Sequence, residues 1–239
     1  MRLIDIVNGA WAITPDMLCE IRSIYAKHLR GEKIDKAVLE KLALENNVRK
    51  SDSSYEIVNG SAIIPIDGVL AKKMNLFMAI SGGSSTQLIE RDIRKALADP
   101  MVEQIVLSID SPGGAVDGTF ELSNFIYENR AGAKPIIAYI DGGAYSAGYA
   151  HASAGSLVYL SSEAAGAGSI GVVAAHEDIS KWEERIGIKT TEIYAGRFKR
   201  AASQYRPLDD EGKGSIQDEV DTLFSVFVTL GAINLVVSA

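Results

Sequence analysis

From Asp16 to Leu29 the apolar residues Met17, Ile21, Ile24, Tyr25 and Leu29 recur every three or four positions. That period predicts a helix with one buried face. Thr14-Pro15 stands ahead of it. A threonine N-cap followed by proline at the first helical position is a good entry, because the N–H that proline lacks has no intrahelical partner there. A second helix is expected over 35–45, after Gly31 and with Asp35 as its cap. Residues 1–50 therefore read as an N-terminal helical extension. The stretch VRKSDSSYEIVNGS (48–61) is polar and turn-rich, and residues 51–60 read as a linker or first edge element.

The main domain, 61–239, begins with an apolar run of strand length, SAIIPIDGVL (61–70). A loop follows over 71–85. Thr86–Ala98 is an amphipathic helix carrying Leu88, Ile89, Ile93, Ala96 and Leu97. QIVLSID (104–110) and PIIAYID (135–141) are further apolar runs, LVYL (157–160) is a shorter one, and TTEIYA (190–195) closes the series. Helices are expected over 117–129, 180–186 and 209–230. AAGAGSIGVVA (164–174) is Gly-rich and then strand-like.

Strands alternating with helices imply a parallel α/β architecture with crossover helices. The runs are continuously apolar, the pattern of strands covered on both faces. Three strand ends open into small-residue loops: SPGGA (111–115), GGAYSAGYAHASAG (142–155) and the Gly-rich stretch around 168. In open α/β sheets ligands bind beyond the carboxyl ends of strands, so these loops outline one cleft.

Composition narrows the class. A chain of 239 residues with 47% apolar content can bury one core without disulfides. A net charge of −7 argues against broad nucleic-acid binding, which needs a basic surface. Cys19 is the sole cysteine and His28, His151 and His176 lie far apart, so no metal site is expected. Thr222–Ala239 carries no charge. Its eighteen residues are at the lower limit for a membrane span, but Ser225, Thr229, Gly231, Asn234 and Ser238 dilute it, and a buried C-terminal helix is expected instead. The N-terminus has no basic region leading into an apolar core, so neither a signal peptide nor membrane attachment is expected.

Ser146 stands between a buried strand and a run of small residues. A serine at a strand-to-helix turn exposes its hydroxyl as a nucleophile, and the helix start favours developing negative charge. It would serve equally as an N-cap among residues small enough for close packing. A nucleophile needs a base. His151, five residues on in the same helix, would point away, and His176 falls in a loop after a strand. Lysine is the alternative. It titrates near about 10.4 in water and works as a base where burial lowers that value. Lys199, beside Phe198 and two alanines, is the candidate, with a solvated charge beside Arg197 and Arg200 as the other reading. The SPGG turn offers backbone N–H donors for an oxyanion, or is an ordinary strand-to-helix turn.

IDSPGG (109–114), AYSAGY (144–149), GSIGVV (168–173) and AGRFK (195–199) occur in an order and spacing that resemble the signal peptide peptidase A family. These are serine-lysine peptidases related in fold to the Clp protease subunit and to crotonase-like enzymes. IPIDGVLAKKMNLF (64–77) and WAITP (11–15) are closest to its phage head-maturation protease branch, the lambda protein C type. The resemblance covers roughly residues 60–230. It implies a crotonase/Clp-protease-like superfold, with Ser146 as nucleophile, Lys199 as general base and Ser169 holding the lysine amine. It implies an oxyanion hole from Gly113 or Gly114 with Ala147. It further implies a substrate strand lying along Ala115, Gly168, Ile170 and Gly171. No cofactor or metal is called for. The implied partners are capsid or scaffold protein and further copies of the chain in a ring, in which the lysine can come from a neighbour, in the cytoplasm or within a procapsid. The uncharged end GAINLVVSA (231–239) departs from the family's charged helix end and bears on assembly more than on chemistry. Two rival readings remain on this fold: a crotonase-like acyl-transfer enzyme, which needs no Ser-Lys pair, and an inactive assembly protein.

Overall fold

A computed structural model describes residues 9–29, 55–73 and 83–235. The helix expected over 35–45, most of the loop at 71–85 and the final four residues lie outside them. The centre of the fold is three parallel strands, β3 (Ser61–Asp67), β6 (Gln104–Ser111) and β8 (Ile136–Tyr145). The parallel partners β9 (Leu157–Leu160) and β10 (Gly166–Gly168) both join β8, the first near its start and the second near its end. β2 (Glu56–Val58) pairs antiparallel with β3 through Asn59-Gly60. Both turn residues have positive φ, 48° and 77°, as a two-residue hairpin matched to strand twist requires. The segment expected as linker or edge element is thus an edge strand.

A second sheet has the order β1-β7-β4-β5, from β1 (Trp11–Ile13), β4 (Val69–Ala71), β5 (Gly83–Ser85) and β7 (Gly113–Ala115). Gly68, at φ 65°, breaks the run expected over 61–70 into β3 and β4. β1 corrects the all-helical reading of residues 1–50, and β7 the reading of 111–115 as turn alone. Each short segment is extended because a neighbouring edge supplies its hydrogen bonds, which local propensity does not reveal.

Helix α1 (Pro15–Leu29) begins at the expected proline. The crossovers are α2 (Thr86–Ala98) before β6, α3 (Thr119–Asn129) before β8 and α4 (Ala147–Ser153) before β9. Ser85 caps α2 by accepting from the Leu88 N–H at 3.4 Å. A short α5 (Ser180–Arg185) and a long α6 (Asp210–Leu235) complete the order.

Burial along the central strands alternates, which corrects the expectation of cover on both faces. Ala62, Ile64, Ile66, Ile105, Leu107, Ile109, Ile136, Ala138 and Ile140 form one core with residues of α2, α3, α4 and α6. Residues of the other face are half-buried or exposed because no element of the described chain packs there. Leu157, Val158, Tyr159 and Leu160 of the edge strand β9 are all exposed. The strand expected over 190–195 does not form. Ile193 is 98% exposed, so its apolar sequence has no partner among the described residues. α6 runs past the expected end at 230, because Phe227, Leu230, Ala232 and Asn234 are buried against the domain. Among the described residues no helix is long and apolar enough to cross a membrane.

Candidate active site

Ser146 sits where β8 stops and α4 begins, at φ 54° and ψ −112°. Positive φ is costly for a residue with a Cβ, and such strain persists only where surrounding bonds hold it. Here the Ser146 N–H donates to the Gly168 carbonyl at 2.7 Å, and the Ala150 N–H donates to the Ser146 carbonyl at 3.0 Å. The small residues around it have a packing reason. A Cβ on Gly148 would lie 3.2 Å from Ser111 Cβ, so glycine brings α4 down onto β6. A Cβ on Gly166 would collide with the Tyr145 hydroxyl. Ser146 is 1% exposed, and its Oγ donates to the Gly171 carbonyl at 3.4 Å.

The glycine turn packs directly against this serine. Gly113 has φ 102°, and a Cβ there would collide with the Ala12 carbonyl oxygen and lie 3.0 Å from Ser146 Cβ. A Cβ on Gly114 would collide with the Leu70 carbonyl. Ser111, not singled out from the sequence, braces the turn: its Oγ accepts from the Gly113 N–H at 3.1 Å and donates to the Gly68 carbonyl at 2.7 Å. Ala147 is the first residue of α4, where N–H groups have no intrahelical acceptor. The structure thus brings together Ser146, Gly113, Gly114, Ala147, Gly168 and Gly171.

Beyond β10 the chain passes Ser169, at φ 56° and exposed, and then Ile170, 48% exposed. Val173 forms an antiparallel bridge to Trp11. A groove of about 430 Å³ lies between this stretch and α1, lined among others by Ile13, Leu18, Cys19, Arg22 and Ile170.

Lys199 is not brought to Ser146 within this chain. It is exposed, in a turn where its N–H donates to the Gly196 carbonyl at 3.2 Å, and its side chain does not bond Ser146. Phe198, Tyr194 and Ile188 nearby in sequence are exposed as well. The two histidines set aside from the sequence take partners other than the serine's hydroxyl. His151 is fully buried, its Nε2 3.3 Å from the Thr119 carbonyl, and burial lowers its pKa to about 4. His176 Nε2 lies 2.9 Å from the Ser203 carbonyl. Among the described residues no group of His, Cys, Asp or Glu could hold a metal ion.

The sequence reading missed the strand at 11–13. Its signal was three consecutive apolar residues, Trp-Ala-Ile, before Thr-Pro, too short a run to separate from a helix entry.

Residues 128–234 match the family model described as peptidase family S49. The chain is 34% identical over 174 residues to capsid assembly protease C of Escherichia phage lambda, covering 73% of this chain and 39% of that protein. It is 32% identical over 173 residues to head-tail preconnector protein GP5 of Enterobacteria phage P21, covering 72% and 34%. It is 27% identical over 151 residues to Protease 4 of Salmonella typhi, covering 63% and 24%. The chain therefore spans well under half the length of each of these relatives. Among solved structures, an enoyl-CoA hydratase/isomerase family member is similar with a TM-score of 0.35 and 16% identity, over 77% of this chain and 82% of that one. A likeness at that level bears on neither substrate nor chemistry.

Proposed function

Because residues 128–234 belong to peptidase family S49, we propose that this chain is a serine endopeptidase with Ser146 as nucleophile and Lys199 as general base. The observation that carries the reading is the strained turn at Ser146, with Gly113 packed against it and Ala147 opening a helix behind it. Ser146 Oγ attacks the scissile carbonyl and passes its proton to the Lys199 amine. The tetrahedral oxyanion is held by the N–H of Gly113 or Gly114 and that of Ala147. Collapse expels the amine, which takes the proton back from the lysine, and water then releases the acyl-enzyme. Ser169 holds the lysine amine. The substrate adds as an extended strand along Ala115 and Gly168 to Gly171. Capsid or scaffold protein in phage head maturation is the substrate class, in keeping with the names of the lambda and P21 relatives.

The reading requires a second copy. Lys199 is exposed, whereas a lysine base has to be occluded for its amine to be unprotonated. The exposed Ile188, Ile193, Tyr194 and Phe198 support a ring in which a neighbour covers this segment and receives the lysine at its own Ser146. Intact-mass spectrometry of casein incubated with the wild-type chain and with Ser146→Ala tests the assignment. Fragments are expected from wild type only. Equal cleavage by both would overturn Ser146 as nucleophile, and no cleavage by an assembled wild-type chain would overturn the peptidase reading.

A further inference from the structure

β1 lies beside Ser146 as a bound peptide would. On one edge it pairs antiparallel with β7, Trp11 opposite Ala115, Ala12 opposite Gly114 and Ile13 opposite Gly113. On the other edge Trp11 and Val173 exchange two backbone hydrogen bonds of 2.8 Å each. The ladder extends past the strand: the Thr14 N–H donates to the Pro112 carbonyl at 3.0 Å, and the Val116 N–H to the Ala10 carbonyl at 3.3 Å. Hydrogen-bonded pairs alternate in an antiparallel ladder, so Ala12 and Gly114 form the hydrogen-bonded pair between these two. Main-chain bonding of this kind, with side chains set alternately to two faces, is how a peptide is recognised by strand addition.

The segment also closes the site. A Cβ on Gly113 would meet both the Ala12 carbonyl oxygen and Ser146 Cβ, so the three lie side by side. Trp11, Ala12 and Ile13 are 4%, 0% and 4% exposed, and Ser146 is 1% exposed. A peptide cannot reach a serine so covered unless something moves. The side-chain anchoring of β1 is what allows it to be the moving part: Trp11 and Ile13 pack with Leu18, Ile21 and Val69 in a small cluster separate from the main core, and of this strand only the small Ala12 reaches the main core.

We propose that Trp11–Ile13 is a resident ligand of the substrate cleft, which a substrate strand has to displace before Ser146 can act. The proposal rests on the peptidase reading for the role of Ser146. It also names the substrate class: an extended segment with a small residue flanked by large apolar ones. Ala12 packs into the main core with no exposure, so a larger side chain has no room there. Trp11 and Ile13 take the opposite, apolar face.

A disulfide across β1 and β7 tests this. Trp11 and Ala115 are a non-hydrogen-bonded pair, with Cα atoms about 4.5 Å apart by the geometry of such pairs, within disulfide reach. The full chain carries Trp11→Cys, Ala115→Cys, Cys19→Ser and Ser146→Ala, and the probe is a fluorescein-labelled NGAWAITPD peptide followed by anisotropy. Binding is expected in the reduced form and at least tenfold weaker in the oxidised form. A second variant, Ala12→Pro with Ser146→Ala, deletes the N–H that faces Gly114 and is expected to bind the peptide more tightly than Ser146→Ala alone. Equal binding in the oxidised and reduced forms, or binding in neither, overturns the proposal. With Ser146 retained, casein cleavage is expected to fall on oxidation and return with reductant. Cleavage unchanged by oxidation overturns the resident ligand but leaves the peptidase intact. Gated peptide binding with no cleavage in any form supports the resident ligand and overturns the peptidase.

Discussion

Gly113 lies so close to Ser146 that a Cβ on it would sit 3.0 Å from the serine Cβ and would collide with the carbonyl oxygen of Ala12. Its φ of 102° is itself unfavourable for any residue with a side chain. Gly113→Ala therefore strains the turn, crowds the nucleophile and loosens β1 together. The variant is expected to lose about 1–3 kcal/mol of stability through overpacking. It is also expected to lose most casein cleavage, because a turn moved by an ångström no longer aims its N–H groups at the oxyanion. Urea unfolding and cleavage assays on the same preparation check the two effects. A stable, fully active Gly113→Ala would show that the turn is no part of the site.

The chain order of strands and helices was legible because the core elements carry their periodicity locally. Ile89, Ile93 and Ala96 mark the buried face of α2, and Ile105, Leu107 and Ile109 that of β6. Ser146, Gly113 and Gly168 were legible as punctuation, small residues where strands end. Placement by partners was not. Trp11–Ile13 is a strand only because β7 and Val173 flank it, and residues 190–195 are not a strand because nothing in the described chain pairs with them. Ser111 was read as part of a turn, and its bracing role depends on Gly68, 43 residues away. The exposed position of Lys199 agrees with the reading of it as a solvated charge beside Arg197 and Arg200, and the cover that the neighbouring alanines and Phe198 suggested is not provided among the described residues.

His151 gives a prediction of pH dependence. Burial lowers its pKa from an ordinary value of 6.5 to about 4, so the folded state holds it neutral while the unfolded chain binds a proton. Its contribution is fully present above about pH 6.5 and is lost as pH falls toward 4. The loss is of the order of 3 kcal/mol. Urea unfolding between pH 7 and 4.5 should show a steeper decline for wild type than for His151→Gln, which keeps a donor for the Thr119 carbonyl without the titration. Parallel declines would show that His151 is not the titrating group.

Asn234 ties the end of α6 to α4, the helix that follows Ser146. Its side-chain amide donates to Ser153 Oγ at 3.0 Å and Ser123 Oγ at 3.3 Å, and lies 3.5 Å from the Ala150 carbonyl. Arg130 adds a bond to the Asn234 backbone carbonyl at 2.9 Å. Asn234→Ala removes the amide bonds from a site only 4% exposed and is expected to cost about 1–3 kcal/mol. The Asn234→Leu variant should lose a similar amount, because the two serines keep the Ala150 carbonyl as acceptor but gain no partner. Thermal unfolding is the readout, and a change below about 0.5 kcal/mol in both variants would mean that the end of α6 does not brace α4.

Lys199 and Ser146 should complement each other between copies. Ser146→Ala and Lys199→Ala are each expected to be inactive, and Lys199→Arg as well, because a guanidinium stays protonated. If each site takes its serine from one copy and its lysine from the next, co-refolding the two alanine variants in equal amounts regenerates intact sites. Random assembly around a ring places a wild-type serine beside a neighbour's wild-type lysine in about a quarter of sites, so roughly a quarter of wild-type casein cleavage should return. A lysine acting within its own chain predicts none, since neither variant then holds a complete pair. Mixing without refolding is the control, and it should recover activity only as fast as subunits exchange. Recovery of cleavage would explain why a base that has to be occluded is exposed here, beside the exposed Phe198 and Tyr194. No recovery, with both variants shown to assemble by light scattering, would remove the shared-site arrangement and leave the exposed lysine without a catalytic role.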